Sequence, residues 1–414
     1  MTRSTVVWHP MCSSILPIVL ILAGAPVFVQ AAEPARKIGL DEAVHLALEK
    51  QPALAGARAS RDAASEQKRA ADSLLALLTG PQIHVRRKQA ELGLAIAQSQ
   101  VEQAELETIN AVTRTYLSVL FAKEQERVAE EALANFKAMR EAARGLVKAG
   151  SKEVTTSDLE RLDMYTALAA ARLEEARTGQ ARARIALREA IGLAPQEPIE
   201  VADDRLTYKP VKVSCTKAVE LALQHRPELV QALLAADLAR LEVKAQGLTL
   251  SANARTFAAT GDIHAKILPA SVINGDYRPG PLGPEMPAFL AGSWHQRRAR
   301  AESLADRAEA VAEKARNLIA LEVEEACLRL QQHGREVELL KATVQQAIKQ
   351  GEEARRAYRA EQLPTDRLLI AQLAESQVKA QYNEAVYRYA IAQATLHRVT
   401  GGRFWDAVEK EDSK

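Results

Sequence analysis

Residues 40–54, LDEAVHLALEKQPAL, return 175 positions later as CTKAVELALQHRPEL at 215–229. Ala43, Val44, Leu46, Ala47, Leu48, Pro52 and Leu54 match Ala218, Val219, Leu221, Ala222, Leu223, Pro227 and Leu229, the proline included. Self-similarity at a fixed offset means two copies of one unit. Two further matches extend it. His84-Val85-Arg86-Arg87 corresponds to His295-Gln296-Arg297-Arg298 at an offset of 211, and Leu187 through Gly192 to Leu396 through Gly401 at 209. The second copy therefore carries 36 extra residues, the difference between 211 and 175, and they fall between the first match and the second. That places them in 247–294, which is dense in glycine and proline and ends helical pattern. Leu250, Ala252, Ala254, Thr256 and Ala258 alternate there as a strand does. Copy one has only a turn around Thr79-Gly80-Pro81 at this point.

The rest of each copy reads as long helices. Aromatic residues are 4% of the chain and much of the apolar content is alanine and leucine, which suits close-packed helices better than sandwiches or barrels. Helical pattern runs from Leu40 to Leu78, Ile83 to Lys148 and Thr156 to Ile191, and again over 216–246, 295–360 and 365–400. At 1.5 Å per residue the middle helix of each copy spans roughly 95 Å and its shorter neighbours roughly 55 Å, so two short helices end to end match one long antiparallel helix. Leu106, Ile109, Val112, Tyr116 and Leu120 form one apolar stripe of a coiled-coil-like seam. The fold class expected is mainly α: two tandem repeats of long antiparallel helices with a reduced extended segment in the second.

The ends and the charge narrow the class further. Residues 1–31 read as a signal peptide: Arg3, an apolar stretch from Ile15 to Val29, then Val29-Gln30-Ala31 before a cut near Ala31. That stretch is shorter than the roughly 20 residues of a membrane-spanning helix. With 55 Lys and Arg against 53 Asp and Glu, no basic face invites nucleic acid. Cys215 and Cys327, the cysteines beyond the signal, are too few for a disulfide framework and read as two unrelated thiols. There is no phosphate loop, no H-E-x-x-H and no cysteine–histidine cluster, so neither enzyme chemistry, nor a cofactor, nor a metal is expected. His45, His225, His333 and His397 read as surface or packed side chains.

The duplicated pattern resembles the outer-membrane efflux proteins of the TolC type. Each repeat of that family opens with an A-x-x-L-A-L-x-x-x-P-x-L-like motif, here Ala43 through Leu54 and Ala218 through Leu229. Each ends in a helical hairpin whose turn carries Gly and then Asp-Leu, here Ala149 through Leu159 and Ala360 through Leu368, with Glu361 in the glycine's place. The resemblance divides the chain into the signal (1–31), repeat 1 (38–192), a linker (193–214), repeat 2 (215–402, with its insertion at 247–294) and a polar tail (403–414). It implies a passive duct in the cell outer membrane: a homotrimer with a periplasmic helical tunnel, working with a periplasmic adaptor (membrane fusion) protein and an inner-membrane pump. The hairpin tips would dock the adaptor through Gly150, Ser151, Asp158, Leu159, Leu363, Asp366 and Leu368. Two alternatives stand beside that: the leucines begin the buried stripe of the next helix, and the acids are helix caps or first-turn acids. The opposite end would place His84, Arg86, Arg87, His295, Arg297 and Arg298 near outer-membrane lipid headgroups, although ordinary solvated charge reads the same way. Copy one departs from the family in lacking a strand pair. The alternative function is therefore a non-channel periplasmic scaffold derived from the same unit by loss of barrel strands.

Overall fold

The computed structural model describes residues 36–73, 80–150, 154–248 and 292–408. The signal segment, nearly all of the 247–294 insertion, and Ser151 lie outside these.

Repeat 1 begins with a short strand, β1 (Arg36–Ile38), and two helices, α1 (Leu40–Lys50) and α2 (Pro52–Asp72). The sequence pattern reads as one helix here, and again over 216–246, but the repeated proline divides both. Gln51, at φ −66° and ψ 120°, is extended between α1 and α2. Arg226, at φ −71° and ψ 119°, is extended between α5 (Cys215–His225) and α6 (Pro227–Leu248). A residue before proline is pushed out of the helical region, and proline itself fits the first helical position, where its missing N–H is not needed. Each copy then continues with a long hairpin. In copy one α3 (Ile83–Lys148, 66 residues) turns into α4 (Thr156–Ile191). In copy two α7 (Trp294–Arg359, also 66 residues) turns into α8 (Thr365–Val399).

The long helices, about 100 Å each, organise a single layer of four columns. Along α3 lie α2 and α4 end to end on one side and α6 and α8 end to end on the other; α7 packs on the far side of α6 and α8. Named contacts fix the central seam. Ser99 Oγ donates to Pro227 O at 2.9 Å, and Lys379 Nζ donates to Glu131 Oε1 at 2.6 Å. Phe121 stacks on Tyr387 with ring centroids 4.6 Å apart. Alanine is what lets the helices approach: Ala43, Ala47, Ala218 and Ala222 are fully buried.

Three cores hold the layer. In the middle of each long helix, one copy packs Ala43 and Ala47 with Val112, Tyr116, Leu187 and Ile191. The other packs Ala218 and Ala222 with Ile319, Cys327, Leu396 and Val399. The third core sits at the hairpin end. Residues 193–214, read as a linker, are structured. β2 (Ile199–Val201) pairs in parallel with β1, Arg36 opposite Ile199 and Ile38 opposite Val201. The chain then crosses to repeat 2, where the Val211 N–H donates to Tyr389 Oη at 3.0 Å. The expected polar tail likewise opens with a helical turn, α9 (Phe404–Ala407), whose Phe404 is buried in the second core.

Candidate functional site at the two ends of the layer

Both hairpins reverse at the same end of the layer. Gly150 follows α3 at φ 79° and Glu361 follows α7 at φ 56°, so the two turns use the same left-handed position. Glycine enters that region freely; a side chain there costs about 1–2 kcal/mol. The Glu361 turn is held by the Gln362 N–H donating to Ala357 O at 2.9 Å. α4 starts with a capping box: the Asp158 N–H donates to Thr155 Oγ1 at 3.3 Å and the Thr155 N–H donates to Asp158 Oδ2 at 2.9 Å. Arg161 of α4 bonds Asp366 of α8 and lies 3.9 Å from Asp158, tying the two hairpins together.

Below this rim, Phe136, Met139 and Leu162 pack with Tyr358, Leu368 and Leu369. Of the tip residues singled out from the sequence, Gly150 and Asp366 are exposed, while Asp158, Leu159 and Leu363 are half-buried. Leu368 is 1% exposed, so in the protomer it is core and not surface. Leu159 and Leu363 pack against the same core and begin its stripe. Thr155 is the cap of α4 and Asp158 its first-turn partner in the capping box, while Asp366 is a first-turn acid of α8, whose N-terminus has no side-chain cap. A groove of about 1090 Å³ lies along α3 from Ser118 to Phe136, short of the hairpin turns, flanked by Leu168, Ala176 and Gly179 of α4 and Leu373 of α8.

The basic sets stand together at the opposite end, at the starts of α3 and α7, where each opposes its own helix dipole. The neighbouring antiparallel helix explains them. Arg87 Nε donates to Ala71 O at 2.9 Å and its Nη2 to Asp72 O at 3.4 Å. These are carbonyls at the C-terminal end of α2, where positive charge is favoured. Arg86 pairs at 2.6 Å with Glu242 of α6, which is buried, so this pair also joins the two repeats. Arg297 is buried and its Nη1 donates to Gly292 O at 3.0 Å. Arg298 pairs with Glu302 at 3.0 Å and sits over the Trp294 ring. His84 and His295 are exposed. All four arginines therefore bond protein groups.

Sequence reasoning found the repeated motifs but not why they repeat. In space they meet. Gly192 and Gly401, the closing glycines, lie against the backbone of Lys50–Gln51 and of His225. The residue before each proline reaches across to the last helix of its own repeat: Gln51 Nε2 donates to Ala190 O at 3.0 Å and Arg226 Nη1 to Val399 O at 3.4 Å. In copy two this became an ionic network. Arg226, 2% exposed, pairs with Glu228 at 2.8 Å and Glu322 at 2.7 Å, and Arg398 also bonds Glu322. Burial works against the charge on Glu228, but the hydrogen bond and charge of Arg226 outweigh it and hold the carboxyl below its ordinary value. The signal was readable: an arginine two residues before a glutamate, at a junction where copy one has glutamine.

Among the described residues no acid, histidine and cysteine groups suit a metal, and no helix is long and apolar enough to cross a membrane. No family profile matches the sequence and no curated protein is significantly similar to it. Duplicated long hairpins in one layer, with both turns at one end, define the fold of the TolC-type outer-membrane channels. Solved structures carry that statement. The outer-membrane channel OprN superimposes with a TM-score of 0.71 at 18% identity over 88% of this chain and 90% of its own. The Campylobacter jejuni CmeC outer membrane channel gives 0.69 at 16% identity over 90% and 87%, and the outer membrane protein VceC of Vibrio cholerae 0.69 at 16% over 88% and 96%.

Proposed function

We propose that this protein is the outer-membrane channel component of a tripartite efflux or secretion system, a passive duct formed by three copies. The observation that carries the reading is the open layer itself. Among the described residues its two outermost columns have no further helical column beyond them, and both bear exposed large apolar side chains: Met164 and Ile185 on α4, and Leu321, Leu328 and Leu339 on α7. Apolar side chains of this number on opposite edges call for covering, and a cyclic arrangement of identical copies joins one edge to the other without leaving either free. The fold shared with outer-membrane channels supports a tube as the product. The apolar, alanine-rich groove between Phe136 and the middle of α3 suits a helical hairpin of a periplasmic adaptor laid in by its apolar face, reaching it past the hairpin turns. Gly150, Ser151, Asp158 and Asp366 would form the rim of that contact, with Leu159 and Leu363 beneath it. In this reading the chain does no chemistry and its substrates are chosen by the inner-membrane pump.

The scaffold reading keeps one specific observation in its favour. Only residues 73–82 separate α2 from α3, whereas a pair of membrane-crossing strands needs roughly 9–11 residues each. Copy one thus has no length between these helices for such a strand pair. Fractionation of a Gram-negative host expressing the full chain tests the channel. Recovery in outer membranes is expected, and exclusive recovery in the soluble periplasmic fraction would leave only the scaffold. Adaptor docking is tested by cross-linking from the tip: a folded Leu159→Asp/Leu363→Asp double variant that still cross-links an adaptor would remove the tip from the contact.

A further inference from the structure

The two cysteines beyond the signal segment, 112 positions apart in sequence, are not unrelated. Cys327 is part of the second core, and Cys215 packs against that same core from the first turn of α5. Both line one groove of about 670 Å³, walled by Val211, Val213, Leu330 and Tyr389. Both are free thiols, and Gln331 Nε2 of α7, one turn from Cys327, donates to Cys215 Sγ at 3.6 Å; burial, and after it the neighbouring Cys215, push the Cys327 thiol well up.

The duplication supplies an independent observation that these two positions belong to one core. At the offset of the opening motif, Cys215 corresponds to Leu40; at the offset of the long helices, Cys327 corresponds to Tyr116. Leu40 and Tyr116 pack in the same core of copy one. At the matching positions of its first helix and its long helix, copy two carries two sulfur atoms in place of a leucine and a tyrosine of one core. Neither thiol serves any ionic network described above.

We propose that Cys215 and Cys327 are built to close into an intramolecular disulfide once the chain leaves the reducing cytoplasm, stapling the N-terminus of α5 to the middle of α7. This rests on the reading that the protein is exported, because disulfides persist in oxidising compartments and not in the cytosol. The oxidant is an external disulfide, of a protein or of glutathione. Cys215 is the entry point: it is partly open to the groove, whereas Cys327 is 1% exposed. The Cys215 sulfur, as thiolate, attacks the external disulfide and one oxidant sulfur leaves as a thiol. The Cys327 sulfur then displaces the second from the mixed disulfide. One S–S bond forms and one breaks; two electrons and two protons pass from the cysteine pair to the oxidant, which departs as two thiols.

The test counts thiols in the full chain. Protein purified from the host envelope is denatured with a maleimide, with and without prior reduction. No label without reduction, label on both cysteines after it, and a Cys215–Cys327 cross-linked peptide by mass spectrometry are expected. Cys215→Ser, a change at a partly exposed sulfur, should keep full helicity, lose the cross-linked peptide and label Cys327 without reduction. Reduction should lower the thermal midpoint of the natural chain by roughly 5 °C and leave that of Cys215→Ser unmoved. The same full chain, reduced and then exposed to oxidised glutathione, separates geometry from compartment. Closure there supports the pair, and if the protein in cells is nevertheless fully reduced, it is the export reading that fails. A folded chain that keeps both thiols in oxidised glutathione, or gains only glutathione adducts or intermolecular bonds, overturns the proposal.

Discussion

Gly192 and Gly401 show what a single matched residue does in this chain. Both have positive φ, 81° and 64°, and a Cβ added at them would lie 2.9 Å from Lys50 O and 2.8 Å from His225 O. Backbone cannot yield as a flexible side chain does, so strain and clash add. Gly192→Ala and Gly401→Ala should each destabilise by about 2–4 kcal/mol in chemical denaturation. Gly150, at φ 79° with open space around it, supplies the control: Gly150→Ala should cost only the left-handed penalty, about 1 kcal/mol. Equal losses at all three sites would mean that the close approach of repeat ends is not what the glycines serve. The sequence showed that these glycines correspond. It could not show that each touches the opening motif of its own repeat, because the contact spans about 140 to 180 residues and no local pattern records it. The acid limb offers a second residue-scale test. The folded-state pKa of Glu228 is lowered, desolvation being outweighed by Arg226. Its contribution is therefore complete above the unfolded carboxyl value near 4.3 and is lost as pH falls through the folded value. Stability measured by urea titration should be insensitive to this group from pH 8 to about pH 5 and fall below that, and Glu228→Gln should flatten that fall. A variant with the same acid limb as the natural chain would remove Glu228 from the account.

Elements were legible where their signals are local. Long amphipathic periodicity, ended by Gly150 in one copy and Pro364 in the other, set the bounds of α3, α4, α7 and α8 correctly in kind and almost in length. The break before Pro52 and Pro227 was misread because helical periodicity continues through it on both sides, and only the conformational restriction on Gln51 and Arg226 separates the halves. The β1–β2 pair had no signal at all: three residues each, paired in parallel across the whole hairpin. The basic sets were seen, but an isolated helix has no way to reveal that its antiparallel neighbour ends beside it. Arg86 belongs to this scale because its partner, Glu242, is on another element and almost out of water. Arg86→Ala should destabilise by about 3 kcal/mol, mostly from the carboxylate left buried. Arg86→Met combined with Glu242→Leu should recover most of that loss, since removing both charges also removes the uncompensated one. If the double variant is no more stable than Arg86→Ala, the pair is not the reason these helices meet. Arg87→Ala, which frees two carbonyls at the end of α2, should cost about 1 kcal/mol or less.

At the scale of the whole molecule, the described helices form a layer with two open sides, and this property decides what copies of it can build. A helical bundle covers its own edges; four columns in one sheet cannot, because α4 with α2 at one side and α7 at the other are separated by α3 and by α6 with α8. Leu328 at 64% exposed and Leu339 at 74% mark one edge, and Ile185 at 55% marks the other. Side chains this open contribute little to the stability of the protomer, so polar replacements there should leave it within about 0.5 kcal/mol. Between copies the same positions would be buried, and a lysine in place of leucine would carry its charge into an apolar contact. A Leu328→Lys/Leu339→Lys variant should therefore keep the far-ultraviolet helicity and thermal midpoint of its monomer while sedimenting as a single chain in mild detergent, where the natural protein sediments as three. Ile185→Lys, on the opposite edge, should do the same independently, since a ring needs both sides of every contact. Mixing the two variants is the sharper measurement: each retains one intact edge, so they should form pairs across the unmodified edges and no closed trimer. Trimers that survive in both variants would show that the exposed apolar side chains lie off the contact, and a natural chain that remains monomeric at micromolar concentration in detergent would end the tube.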